Sequence, residues 1–149
     1  GDEEQPALGA GGQELGATIC YEDAYGSQQL KVLREATLLV NVTNDTWFGD
    51  STAPHQHLEI ARMRALEAGR YLLRAANDGI TATIGAKGEL RQTIPQFKPG
   101  VLKDTVEPRT GLTPYARVGN IPVITLSLIL LAAGVLTARR SSFPPPSRN

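Results

Sequence analysis

Residues 16–42 read GATICYEDAYGSQQLKVLREATLLVNV, and the changes of chemistry along this stretch decide the fold class. Gly16–Cys20 is a short run carrying β-branched Thr18 and Ile19, bounded downstream by Glu22, Asp23 and Gly26, which predicts a strand ending in a turn. Cys20 falls at the exit of that strand. Ser27 is placed to cap a short helix running to about Arg34. Leu38-Leu39-Val40-Asn41-Val42 is then a compact apolar run of the kind a sheet core uses. Strand, helix and strand in succession predict an α/β unit.

Working outward, Leu58, Ala61, Ala65, Ala68 and Leu72 recur at steps of three and four, which predicts a helix from about His55 to Arg74 with a small-residue face. Gly79–Ile84 followed by Ala86-Lys87-Gly88-Glu89 predicts a strand and hairpin. Low complexity is confined to Gly9–Gly12 and Pro144–Pro146, and no internal repeat stands out. The chain opens at Gly1 without a Met or a basic, apolar leader, which fits either a piece of a longer protein or a processed start, and the former is expected.

Fifteen basic residues balance fifteen acidic ones, which argues against a nucleic-acid surface and leaves no partner selected by bulk charge. The single cysteine excludes an internal disulfide and a Cys-rich zinc site. Cys20 is therefore either buried filler or a reactive thiol.

Ile121–Ala138 (IPVITLSLILLAAGVLTA) is 18 residues without a charge. At a rise of about 1.5 Å per residue it reaches roughly 27 Å, close to the hydrocarbon thickness of a bilayer. A buried core helix is the alternative, but such a helix usually keeps a polar stripe, and here only Thr125, Ser127 and Thr137 are polar. Arg139 and Arg140 follow at once, and positive charge marks the cytoplasmic flank, so the body before the span is expected to face outward. In a bacterium that side is the periplasm.

Cys20 occupies a strand-to-turn-to-helix junction, where a side chain is presented at the sheet edge and free backbone N–H groups can bind a developing oxyanion. The Tyr21 N–H is the natural donor. Glu22 and Asp23 pose a difficulty, because neighbouring negative charge disfavours a thiolate and calls for a compensating cation. Lys31, Lys87, Lys98 and Lys103 exist, but nothing in their settings ties any of them to Cys20.

Asn44-Asp45-Thr46-Trp47-Phe48-Gly49 follows the apolar strand directly, at the end of the sheet where pockets form in open α/β folds. Trp47 is either a core anchor or, with Phe48, the wall of an acyl-chain site. His55-Gln56-His57 without matched carboxylate or Cys partners is a weak metal motif, and polar contacts at a helix start are the preferred reading. Arg62, Arg64, Arg70 and Arg74 read as a solvated or ion-paired helix face rather than a phosphate site.

Ile19-Cys20-Tyr21-Glu22, Asn44-Asp45-x-Trp47-Phe48-Gly49, Gln56-His57, Ala61-Arg62-x-Arg64-Ala65-Leu66-Glu67, Asn77-x-Gly79-Ile80-Thr81 and Gly111-Leu112-Thr113-Pro114-Tyr115-Ala116-Arg117, taken in this order, are identified with a family. The chain resembles the apolipoprotein N-acyltransferases of the carbon-nitrogen hydrolase (nitrilase) superfamily. The resemblance implies an α/β fold, a partial nitrilase-like α-β-β-α sandwich followed by one C-terminal transmembrane helix. It divides the chain into the C-terminal part of a carbon-nitrogen hydrolase domain (1–118), a transmembrane helix (119–140) and a disordered cytoplasmic tail (141–149).

The same resemblance implies a Glu-Lys-Cys triad of which only Cys20 lies in this chain. Cys20 would take an acyl chain from a phospholipid as a thioester and pass it to the N-terminal amine of a diacylglyceryl-cysteine lipoprotein. Tyr21 and Glu22 match positions that support the reaction, and Asn44, Trp47 and Phe48 are the expected substrate contacts. No cofactor and no metal are called for. Localisation in the bacterial inner membrane follows, and the piece alone is expected to be inactive and poorly folded. A membrane-anchored amidase that gives the thioester to water, and a non-catalytic membrane-bound interaction module, are the alternatives.

Overall fold

The computed structural model describes residues 5–141, which divide into two compact units, Gly1–Arg117 and Val118–Asn149. Of the expected tail, 141–149, Ser141 ends the last helix and residues 142–149 lie outside the described residues. The first unit is built on a six-stranded mixed sheet whose spatial order follows the chain: β1 (Leu8–Ala10), β2 (Gln13–Ile19), β3 (Leu38–Asn44), β4 (Leu72–Asn77), β5 (Thr81–Ile84) and β6 (Leu90–Ile94). β2, β3 and β4 are parallel, and the other neighbours pair antiparallel.

Parallel pairing needs crossovers, and α1 (Gly26–Val32) and α2 (Ala53–Ala68) supply them. Both helices pack on one face of the sheet. Leu39, Leu72, Ala82 and Ile84 from the strands meet Leu58, Ala61, Ala65 and Ala68 from α2 and Leu33 after α1, all buried. The small residues on α2 allow close approach to the strands, as their spacing predicts. A smaller cluster of Leu38, Tyr71 and Ala86, with Leu15 and Val106 against it, lies on the opposite face. Ile19 and Val42, paired in register on that second face, are exposed.

The expected strand at Gly16–Cys20, the strand at Leu38–Val42 and the hairpin after Ile84 are all present. Two expectations are corrected. Ser27 is not a cap: the helix starts at Gly26 after Tyr25, with no side-chain cap hydrogen bond, so Ser27 lies inside the first turn. The helix expected from His55 to Arg74 stops at Ala68. Gly69 adopts φ 63 and its N–H reaches the Ala65 and Leu66 carbonyls, a left-handed C-cap that glycine takes without strain. Leu72 and Arg74 continue the helical spacing in sequence but belong to β4.

Gly111–Arg117 docks on this helix end. Thr113 Oγ1 donates to the Glu67 carbonyl at 2.5 Å and accepts the Ala116 N–H at 3.0 Å, opening the short helix α3 (Pro114–Val118). Arg70 Nη2 reaches the Gly111 carbonyl at 2.6 Å. On the other face, the Arg91 and Arg109 guanidinium carbons each lie 5.5 Å from the centre of the Tyr71 ring, and Arg91 is ion-paired with Asp104 at 2.9 Å. The irregular stretch after β6 is thus tied back to the sheet by side chains.

In the second unit, α4 (Ile121–Ser141) is one continuous helix, with Pro122 in its first turn where a missing N–H costs nothing. Ile121–Arg139 is long and apolar enough to cross a membrane, and none of it is buried among the described residues. Ser127 and Thr137 return their hydroxyls to the Val123 and Ala133 carbonyls at 2.8 and 3.1 Å. These polar side chains are satisfied within the helix itself.

Candidate active site

β2 ends at Ile19, and Cys20–Ala24 forms a tight 3₁₀ turn. Cys20 holds a left-handed backbone, φ 53, and is half-buried. Glu22 closes the turn, its carboxylate accepting the Ile19 N–H at 2.7 Å. Tyr21 is exposed and stands edge-on to Tyr25 with ring centres 6.1 Å apart, 6.3 Å from the His57 ring. The three predicted catalytic positions, Cys20, Tyr21 and Glu22, therefore share one turn at the sheet edge.

Beneath that turn lies a buried cluster of charge that sequence reasoning did not assemble. His57 Nδ1 is 2.9 Å from Asp45 Oδ1, and Nε2 is 3.2 Å from Asp23 Oδ1. Arg74 Nη2 donates to Asp45 Oδ2 at 2.9 Å, while Nη1 lies 3.5 Å from Asp23 Oδ2 and donates to Asn41 Oδ1 at 2.6 Å. Asn41 Nδ2 donates to Thr18 Oγ1 at 3.1 Å and to the Cys20 carbonyl at 3.2 Å. Gly79 is required beside this cluster, because a Cβ there would collide with the Asp45 carboxylate. Asp23, Asn41, Asp45, His57 and Arg74 are all buried.

Burial opposes the charged form of His57, and so does Arg74. Hydrogen bonding and charge from Asp23, with Asp45 beside it, outweigh both and raise its pKa above the usual 6.5. Burial lowers the pKa of Arg74, with Asp45 and Asp23 pulling the other way and Cys20 adding a smaller contribution in the same direction. Two carboxylates thus face one guanidinium and one imidazole in the buried cluster.

Asn44 is committed to structure. Its Oδ1 accepts the Thr46 N–H and Asn77 Nδ2, each at 3.2 Å, joining the loops that follow β3 and β4. Trp47 and Phe48 follow in a 3₁₀ turn (Thr46–Phe48). Trp47 is 87% exposed, so it anchors no core among the described residues. β2 and β3 run parallel, so the Trp47 loop and the Cys20 turn leave the same edge of the sheet.

The arginine reading is half corrected. Arg62 and Arg64 pair with Glu59 and Glu67 on α2, at 2.8 and 3.0 Å. Arg70 and Arg74 are not on that helix and are buried, Arg70 holding the Ala36 carbonyl at 3.0 Å as well as Gly111. In His55-Gln56-His57 only His57 is buried, and both its ring nitrogens are engaged by carboxylates. Among the described residues no group of three His, Cys, Asp or Glu side chains could hold a metal ion.

The sequence profile of the carbon-nitrogen hydrolases matches residues 1–115. The chain belongs to the carbon-nitrogen hydrolase family. The apolipoprotein N-acyltransferase of Nitrosomonas europaea is 47% identical over 135 residues, and that of Methylococcus capsulatus 49% identical over 140. These alignments cover 91% and 94% of this chain and 27% of each relative, so the chain spans about a quarter of the length of the curated relatives it matches.

Among solved structures, a carbon-nitrogen hydrolase from Helicobacter pylori superposes with a TM-score of 0.55 at 17% identity, covering 64% of this chain and 41% of the other. A Nesterenkonia amidase superposes with a TM-score of 0.50 at 25% identity, over 65% and 40% of the two chains. The α/β, nitrilase-like fold implied by the motifs is the fold observed.

Proposed function

We propose that this chain is the C-terminal part of the catalytic domain of an apolipoprotein N-acyltransferase, with residues 1–118 in the domain and 119–140 as its membrane anchor. Two named acyltransferases match at 47% and 49% identity over more than nine-tenths of the chain, and this single observation carries the reading. In the first step the Cys20 thiolate attacks the ester carbonyl of a phospholipid. The carbonyl π electrons move onto oxygen, the C–S bond forms, and collapse expels the glycerol oxygen, which takes up a proton as the lysophospholipid leaves. In the second step the N-terminal amine of a diacylglyceryl-cysteine lipoprotein attacks the thioester. The amide C–N bond forms, the amine loses a proton, and sulfur leaves as the thiolate.

Cys20 at the mouth of a turn supports the role of nucleophile, and the Tyr21 N–H serves the oxyanion in both steps. Glu22 fixes the turn through Ile19. Trp47 and Phe48, exposed at the same sheet edge, form the acyl-chain wall, with Asn44 holding their loop. A general base and a lysine would come from chain outside residues 1–149. The apolar helix and its trailing arginines support an inner-membrane enzyme with a periplasmic body and a cytoplasmic C-terminus.

The same cysteine could instead give its thioester to water. A Nesterenkonia amidase mutant, 25% identical over the superposed part, carries the acetamide moiety of fluoroacetamide covalently on its active-site cysteine, so a cysteine nucleophile also serves an amidase with this fold. Mass spectrometry of the full-length protein after incubation with phospholipid vesicles separates the two readings. A fatty thioester on Cys20 that persists until a lipopeptide amine is added is expected. Steady release of free fatty acid without amine would sink the transferase reading.

A further inference from the structure

Asn41 stands in the middle of β3, fully buried, and its amide can face only one way. Arg74 offers donors and no acceptor, so the Asn41 atom 2.6 Å from Nη1 must be the oxygen. The Nδ2 group is then turned onto the Cys20 carbonyl at 3.2 Å. Arg74 is held in place by Asp45 and Asp23, and His57 bridges the same two carboxylates. The orientation of one backbone carbonyl is thus fixed by five buried side chains.

The peptide bond that follows Cys20 is trans, and a trans peptide carries its C=O and N–H on opposite sides. A Cys20 carbonyl held down on Asn41 directs the Tyr21 N–H away from the buried face. Tyr21 lies at the start of the 3₁₀ turn, so its N–H has no partner within the turn. That donor belongs to the peptide directly after Cys20.

We propose that Asn41, locked by Arg74 and the Asp23–His57–Asp45 bridge, is the positioning residue that aims the Tyr21 N–H at the oxyanion formed when Cys20 is acylated. This rests on the reading of Cys20 as an acyl-carrying nucleophile. It assigns a task to a cluster that touches no substrate. Removing Asn41 frees the Cys20–Tyr21 peptide to rotate, so the sulfur keeps its place while the oxyanion loses its donor.

Two reactions at Cys20 separate this role from general support of the fold. Acylation by p-nitrophenyl butyrate passes through a tetrahedral oxyanion. Alkylation by iodoacetamide displaces iodide at a saturated carbon and forms none. In the full-length protein carrying Asn41→Ala, the acylation rate constant is expected to fall about 10- to 100-fold, the loss typical of a missing oxyanion donor. The half-saturating ester concentration should stay within about twofold and alkylation within about threefold, because binding and nucleophile are untouched.

Should Asn41→Ala melt below the assay temperature, Asn41→Asp is read in the same two reactions, since it keeps an acceptor for Arg74 and replaces the Nδ2 donor. Equal losses in both reactions, or acylation at the wild-type rate, overturn the proposal. Wild-type Cys20 that is acylated by the ester but never by phospholipid removes the acyltransferase reading and leaves this test intact. Wild-type Cys20 inert to the ester overturns both.

Discussion

Arg74 Nη2 and Asp45 Oδ2 stand 2.9 Å apart with neither side chain exposed to solvent. An ion pair with no water around it is costly to break from one side, because the remaining charge stays desolvated. Arg74→Met leaves Asp23 and Asp45 with no guanidinium, only His57 between them and the Thr43 hydroxyl on Asp45, and the full-length protein is expected to lose about 3–5 kcal/mol of stability in denaturant titrations. A loss below about 1 kcal/mol would mean the carboxylates find other partners or protonate at little cost.

His57 gives the cluster a pH dependence whose sign is fixed. Its pKa is raised in the folded state, so the stability it contributes is fully present below the unfolded value of 6.5 and is lost as pH rises through the folded value. Asp23, Asp45 and Arg74 are the charged groups that face it. Melting temperatures of the full-length protein should therefore decline as pH rises from 6.5, and His57→Gln should flatten that decline. An unchanged slope in the variant would place the pH dependence elsewhere.

Trp47 offers a test that separates substrate contact from packing. A side chain so exposed contributes little to the fold, and Trp47→Ala should change stability by no more than about 0.5 kcal/mol. Transfer from long-chain phospholipid should nevertheless fall, while acylation by a short p-nitrophenyl ester stays near wild type. Equal effects on long and short acyl donors would remove Trp47 from the acyl-chain wall.

Leu130 lies near the middle of Ile121–Arg139. Arginine at a helix centre costs about 2.5–3.5 kcal/mol on insertion scales. Leu130→Arg should therefore release a fusion of residues 119–149 to a soluble reporter from membranes under alkaline carbonate extraction, whereas Leu130→Phe should not. Both fusions remaining soluble would argue that α4 never enters a bilayer.

Local signals carried much of this fold. β-branched and apolar runs located β2 and β3, and the uncharged stretch located α4, because each is decided by its own residues. Helix spacing misled at one point for a physical reason: Ala65, Ala68 and Leu72 keep a helical period straight through Gly69, and only the left-handed backbone at Gly69 breaks it. With that boundary misplaced, Arg74 read as a surface charge. The charge cluster was harder to see, since it joins β3, β4, α2 and the Cys20 turn across sequence separations of up to 51 residues. One clue was available. Asn41 interrupts an apolar strand, and a buried amide there had to find partners.

Cys20 carries a last implication through its φ of 53. An L-residue in that conformation costs about 1–2 kcal/mol, and glycine would sit there without strain. The backbone at this position thus prefers a residue that has no sulfur. Cys20→Gly should leave the full-length protein chemically silent yet harder to melt, and a lower melting temperature would contradict it. A lineage released from selection for thioester chemistry would gain durability by giving up this cysteine.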